Sequence, residues 1–177
     1  PGVGASAIAQ LQSYFPSLAD AWRASTRELQ VSGVHAEAAD AIGKGRADID
    51  PDARYAQTVK LGLTILAPGD PDYPIALANL SRPPAILYVR GRIPDRLGIA
   101  VVGTRKPTVY GQQVCAALGP PLVRAGLPIG SGLAFGIDTI AHQSALTSGG
   151  IAVGVIGSGL DPASFYPAAN RKLADAL

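Results

Sequence analysis

Apolar positions in the first quarter of the chain recur at helical spacing. In "ASAIAQLQSYF" Ile8, Leu11 and Phe15 fall on one helical face, and in "SLADAWRA" Leu18 and Trp22 stand four apart. "HAEAADAIGKG" is alanine-rich and stops at Gly43-Lys44-Gly45, a helix C-terminus signal. Residues 1–46 are therefore predicted as a small module of short helices, and 47–60 as a connector with one helix opened by Asp50-Pro51. Beyond it, "GLTILA" (62–67) and "AILYVRG" (85–91) are short strands. The three prolines of "PGDPDYP" (68–74) exclude regular structure between them.

From residue 97 the rhythm changes to apolar runs alternating with helical segments. "LGIAVVG" (97–103) is a continuous apolar run, expected to be a strand buried on both faces. "YGQQVCAALGPPLVRAG" (110–126) is a helix with an expected kink or break at Gly119-Pro120-Pro121. "LPIGSG" and "IAVGVIGSG" are strands with turns, "IDTIAHQSALTSGG" is a helix, and "PAANRKLADAL" opens a last helix. This order predicts an α/β domain over 61–177 with a parallel sheet. Ligands of such sheets bind beyond the C-terminal strand ends. Three ends are visible: Gly103-Thr104-Arg105-Lys106, Gly130-Ser131-Gly132 and Gly157-Ser158-Gly159. All should lie on one edge.

Composition narrows the class. Apolar residues make up 47%, enough for a sizeable core, and the charged share is only 16%. A single cysteine, Cys115, excludes an internal disulfide and a cysteine zinc site, and fits a reducing, cytoplasmic setting. No run of 18 apolar residues exists, so no membrane span is expected. The first residues lack the basic stretch of a signal peptide. The absence of any methionine points to a piece of a longer protein. Net charge is +2, distributed as four basic and six acidic residues in 1–50, six and four in 51–96, and five and three in 97–177. A basic footprint must come from a few placed residues.

The strand-end loops suit an anion. Glycine lets the backbone approach a ligand, helix N-termini add partial positive charge, and Arg105 with Lys106 supplies full charge. The crest of Gly103, Thr104, Arg105, Lys106, Ser131 and Gly132 is thus a candidate phosphate site. Two glycine turns before helices, Pro1-Gly2-Val3-Gly4 and Val31-Ser32-Gly33-Val34, look like the helix-hairpin-helix module, which meets phosphate in the same way, or else serve a plain helical bundle.

Three enzymatic readings are open to these residues. Gly130, Gly132 and Gly136 approximate a dinucleotide fingerprint, but the next strand ends in glycine and serine, and Asp161 comes late for a ribose. Asp138 and His142, four apart, could be an acid–base pair; the structural alternative has Asp138 capping its helix and accepting a hydrogen bond from His142. Cys115 reads as a small buried residue rather than a nucleophile. Neither a nucleophile elbow nor a P-loop is present. No cofactor, metal or catalytic residue is expected.

"YPIALANLSRPPAILYVRG", "VVGTRKPTVYG", "GSGLAFGIDTIAH" and "GIAVGVIGSGLDPASFYPAANRKL", in this order and spacing, resemble the DNA-processing protein A family, DprA or Smf. The resemblance implies a Rossmann-like fold preceded by a small sterile-alpha-motif-like helical module. It implies a protein that binds single-stranded DNA, protects it and hands it to the RecA recombinase in natural transformation and recombination. On it, Gly103, Arg105 and Ser131 fall near the DNA phosphates, and Phe165, Asn170, Arg171 and Lys172 supply an aromatic and basic contacts. By the resemblance the family's sheet continues past residue 177 with elements that carry its dimer and RecA-contacting surfaces, so the sheet is expected to be incomplete at its C-terminal side, and neither a homodimer nor RecA contact is expected of residues 1–177 themselves. The related nucleotide phosphoribohydrolases, the alternative reading, use a "PGGxGT"-like loop followed by glutamate that this sequence lacks.

Overall fold

The computed structural model describes residues 3–177, which form two compact units, one ending at Gly91 and the other running over 92–177. The first glycine turn, at residues 1–4, lies partly outside the described residues.

In the first unit the helical module is built from α1 (Ala5–Tyr14), α2 (Leu18–Arg23), α3 (Thr26–Val31) and α4 (Ala36–Gly45). The starts of α2 and α3 follow from side chains that satisfy free helix N–H groups. Ser17 accepts from the Asp20 N–H, and Ser25 and Glu28 form a reciprocal capping box. The apolar faces meet around Leu29, which is wholly buried with Leu11, Ala21, Val34 and Ala39. Burying a leucine of this kind is worth about 1.5–3 kcal/mol. Arg46 closes the module: its Nη1 donates to the Trp22 and Ala24 carbonyl oxygens, each at 2.6 Å, at the open end of α2. Gly33, at φ 91°, turns the chain between α3 and α4 as the second glycine turn predicts.

The connector helix is α5 (Pro51–Lys60), with Asp50 accepting from the Asp52 and Ala53 N–H groups. It leads into β1 (Leu63–Leu66), the short helix α6 (Ile75–Ala78) and β2 (Leu87–Arg90). The two strands pair antiparallel, Leu63 opposite Arg90 and Leu66 opposite Leu87, in a sheet of their own. Residues 61–91 fall within the first compact unit, and their strands do not join the parallel sheet.

The second unit carries β3 (Ile99–Ala100), α7 (Val109–Arg124), β4 (Ile129–Ser131), α8 (Ile137–Thr147), β5 (Ala152–Gly154), a 3-10 turn (Ala168–Asn170) and α9 (Arg171–Ala174). The sheet is parallel in the order β3-β4-β5, with Ile99 beside Ile129 and Ile129 beside Ala152. α7 and α8 pack on it through Cys115, Ile129, Ala141, Ala145 and Ala152. This is the mixed α/β fold with a parallel sheet that the strand and helix alternation predicts.

The run 97–103 is not buried on both faces: β3 is a two-residue edge strand with β4 as its one partner among the described residues, and Val102 remains 72% exposed. Nor is α7 broken at Gly119-Pro120-Pro121; it runs unbroken from Val109 to Arg124. Pro120 has no N–H to give the Ala116 carbonyl. The Ser144 hydroxyl of α8 supplies that donor instead, at 2.9 Å. Gly119 makes the approach possible, since a Cβ there would overlap the Ser144 side chain. Ala117, which loses its donor to Pro121, is exposed to solvent.

Candidate nucleic-acid interface

Because β3, β4 and β5 are parallel, the loops leaving them emerge on one edge. They enclose a cleft of about 310 Å³. The loop after β3 contributes Arg105, the loop after β4 contributes Gly132, Ala134 and Phe135, and the segment after β5 contributes Gly157, Ser158 and Tyr166.

Arg105, Lys106 and Thr104 are all exposed. Among the described residues neither Arg105 nor Lys106 is in an ion pair. Thr104 shapes the loop through its hydroxyl, which accepts from the Lys106 N–H at 3.1 Å, and through its carbonyl, which accepts from the Ile137 N–H at 3.2 Å. Gly136, at φ 79°, leaves room for Thr104 and Arg105 to lie against the start of α8. Of the basic pair, Arg105 lines the cleft and Lys106 does not.

The loop after β4 is held from behind. Asp138, on the first turn of α8, accepts through Oδ2 from the Gly132 N–H at 3.1 Å and the Ala134 N–H at 3.3 Å. The Asn170 Nδ2 donates to the Leu133 carbonyl at 2.8 Å, the Thr139 hydroxyl at 2.9 Å and the Ala134 carbonyl at 3.2 Å. Thr139 donates in turn to the Ala134 carbonyl at 2.8 Å. This brace sustains Leu133 at φ 55°, a left-handed conformation that costs a bulky residue about 1–3 kcal/mol and persists only where its surroundings over-determine it.

Several of the residues expected as contacts are also engaged within the fold. Ser131 is buried and donates to the Val101 carbonyl at 2.6 Å, tying β4 to the exit of β3. Gly132 spends its N–H on Asp138. Gly103 makes room for α8, since a Cβ there would stand 2.7 Å from Ile137 Cγ1. Asn170 is buried in the brace. Arg171 donates through Nη2 to the Pro162 carbonyl and so holds the segment after β5. Phe165, which the resemblance makes an aromatic contact and whose plain alternative is a loop anchor packed on the core, is 8% exposed. Lys172 is exposed on α9.

The aromatics at the cleft are Phe165's neighbour Tyr166, 62% exposed, and Phe135, 42% exposed. Their rings meet edge to face, centroids 6.5 Å apart. The Tyr166 N–H is fixed by the Ser158 hydroxyl at 3.1 Å. Phe135 was not singled out from the sequence, although a large apolar side chain inside a glycine-rich strand-end loop was the signal for it.

Asp138 and His142 are not hydrogen-bonded to each other. Asp138 is buried and engaged by the loop; His142 is wholly buried, and neither ring nitrogen has a hydrogen-bond partner. Asp138 therefore grips the preceding loop rather than His142. Burial pushes the His142 imidazole below its ordinary value; the Ser131 backbone and the Asp138 charge oppose this more weakly, short of hydrogen-bond geometry. The Cys115 thiol is buried and pushed up by that burial and by the charge of Asp138, as suits a packing residue. Among the described residues no cluster of histidine, cysteine or acidic side chains could hold a metal ion, and no helix is long and apolar enough to cross a membrane.

Comparison with known proteins gives a consistent set of relatives. The family described as DNA recombination-mediator protein A matches residues 64–177. Protein Smf of Synechocystis is 36% identical over 97% of this chain and 44% of its own length. DNA processing protein DprA of Bacillus subtilis is 37% identical over 64% of this chain and 39% of its own. The chain thus spans less than half the length of these curated relatives. The X-ray structure of DNA processing protein A from Streptococcus pneumoniae superposes with a TM-score of 0.73 at 30% identity, covering 98% of this chain and 59% of that one.

Proposed function

Because this chain belongs to the DNA recombination-mediator protein A family, we propose that its α/β unit binds single-stranded DNA in the cleft at the C-terminal edge of the parallel sheet, and acts by binding rather than by turnover. One observation carries the reading: Arg105, a cation outside any ion pair among the described residues, and an exposed aromatic pair, Phe135 and Tyr166, share one cleft. Guanidinium grips a phosphate bidentately. Aromatic rings stack with bases, which only an unpaired strand leaves free. Lys106, Thr104 and Lys172, exposed in the same unit, are further contacts along the backbone of the strand. RecA recombinase is the proposed recipient of the strand, in recombination and in natural transformation. Surfaces for RecA and for a second copy of the chain belong to the proposal for the whole protein.

The test is a fluorescence anisotropy titration with single- and double-stranded oligonucleotides at two salt concentrations. The expected result is tighter binding of single strands that weakens with salt. Equal affinity for both forms, or none for either, overturns the proposal.

A further inference from the structure

The sequence suggests that the glycine loop after β4 cradles a phosphate through its backbone. The structure gives that loop a different task. The N–H groups of Gly132 and Ala134 are taken by Asp138, and the carbonyls of Leu133 and Ala134 by Asn170 and Thr139. A phosphate brought onto the Gly132 N–H would displace a carboxylate already there and face its charge. Like charges at such range in a partly buried site repel strongly. What the locked loop does offer is the Phe135 ring, set beside Tyr166 in the cleft.

We propose that the loop 132–136 recognises a nucleobase rather than a phosphate. Asp138, Thr139 and Asn170 are its positioning residues, and Phe135 is the specificity-determining side chain that meets the unpaired base. This rests on the reading of the cleft as a single-strand site and divides its labour. The strand lies with its backbone toward Arg105 and a base toward Phe135 and Tyr166. Side chains fix the loop before any ligand arrives, so the ring is presented without the ordering cost a mobile loop would carry. Stacking is tolerant of base identity, so the site distinguishes the presence of a free base rather than its type.

The probes are an oligothymidylate and an abasic deoxyribose-phosphate strand of equal length, bound to the native chain, Phe135→Leu and Phe135→Trp. The native chain should prefer the oligothymidylate by roughly tenfold or more. Phe135→Leu should lose most of that preference while keeping its affinity for the abasic strand and its salt dependence. Phe135→Trp should keep the preference, and its emission should be quenched by the oligothymidylate and not by the abasic strand. Equal binding of both strands by the native chain overturns the base-reading loop while the strand-binding function stands. So does a Phe135→Leu variant with undiminished preference, or one with a reduced salt slope, which would place a phosphate on the loop. Binding of neither strand removes both proposals together.

Discussion

Asp138 holds Gly132 from the opposite end of one loop: Oδ2 lies 3.1 Å from the Gly132 nitrogen and also accepts from Ala134 at 3.3 Å. A carboxylate on the first turn of α8 therefore replaces the ligand that the glycine loop would otherwise receive. Removing it leaves two N–H groups without their acceptor. Asp138→Ala should lower stability by about 2–4 kcal/mol in urea unfolding. Asp138→Asn, which retains one accepting oxygen but not the charge, should cost less. A change under about 0.5 kcal/mol for Asp138→Ala would mean the brace is not formed in solution.

Gly132 tests the same contact from the other side. A Cβ there would stand 2.8 Å from Asp138 Oδ2, closer than real Cβ contacts allow. Gly132→Ala should therefore destabilise the unit in the absence of any DNA, by roughly 1–3 kcal/mol. A variant of native stability would show that the loop has space for a side chain and that Asp138 sits elsewhere.

The continuity of α7 depends on a residue outside it. Ser144→Ala leaves the Ala116 carbonyl without a donor and should cost about 1 kcal/mol. Gly119→Ala should cost more, because its Cβ overlaps the Ser144 side chain and separates the two helices. The double variant, Gly119→Ala with Ser144→Ala, should cost less than the sum of the two single changes, since trimming Ser144 relieves the overlap. Strict additivity, measured by denaturant midpoints, would contradict the contact.

His142 gives the fold a signature on the acid side. Burial holds its imidazole below the ordinary 6.5, so the unfolded chain takes up a proton where the folded chain does not. Stability should be level well above pH 6.5 and fall as pH drops below it, until the folded ring itself protonates. Glu28 and Asp161, held down by the Ser25 and Ser164 hydroxyls, act lower, near their ordinary 4.5 and 3.8. The urea midpoint between about pH 7 and pH 5.5 isolates the histidine. It should decline for the native chain and lie flatter for His142→Leu; an equal slope in both would contradict the assignment.

Periodicity and chain punctuation revealed what local chemistry controls. The helical spacing of Ile8 and Leu11, the Asp50-Pro51 start and the glycine ends of three apolar runs placed the elements and put the candidate loops on one edge. Partnership across distance was hidden. Nothing local to Pro120 shows that Ser144, on another helix, will satisfy Ala116. The formula of a polar side chain does not say whether it faces solvent or a backbone, so the hydrogen bonds of Ser131, Asn170 and Arg171 to backbone carbonyls were not legible beside their reading as ligand contacts. Phe165 and Tyr166 are adjacent, and composition could not tell which of them the turn would bury. The same blindness missed Phe135, whose exposure depends on a loop locked by Asp138 and Asn170.

The most direct test of the account is the salt dependence of single-strand binding by the native chain and by Arg105→Ala. A strand whose phosphate is gripped by Arg105 releases its counterions there, so the slope of log affinity against log salt should flatten by about 0.7 in the variant. Affinity should fall alike for every base sequence, with the unfolding midpoint unchanged because Arg105 is exposed. An Arg105→Ala variant with native affinity and native slope would contradict the claim that this cleft holds the DNA backbone.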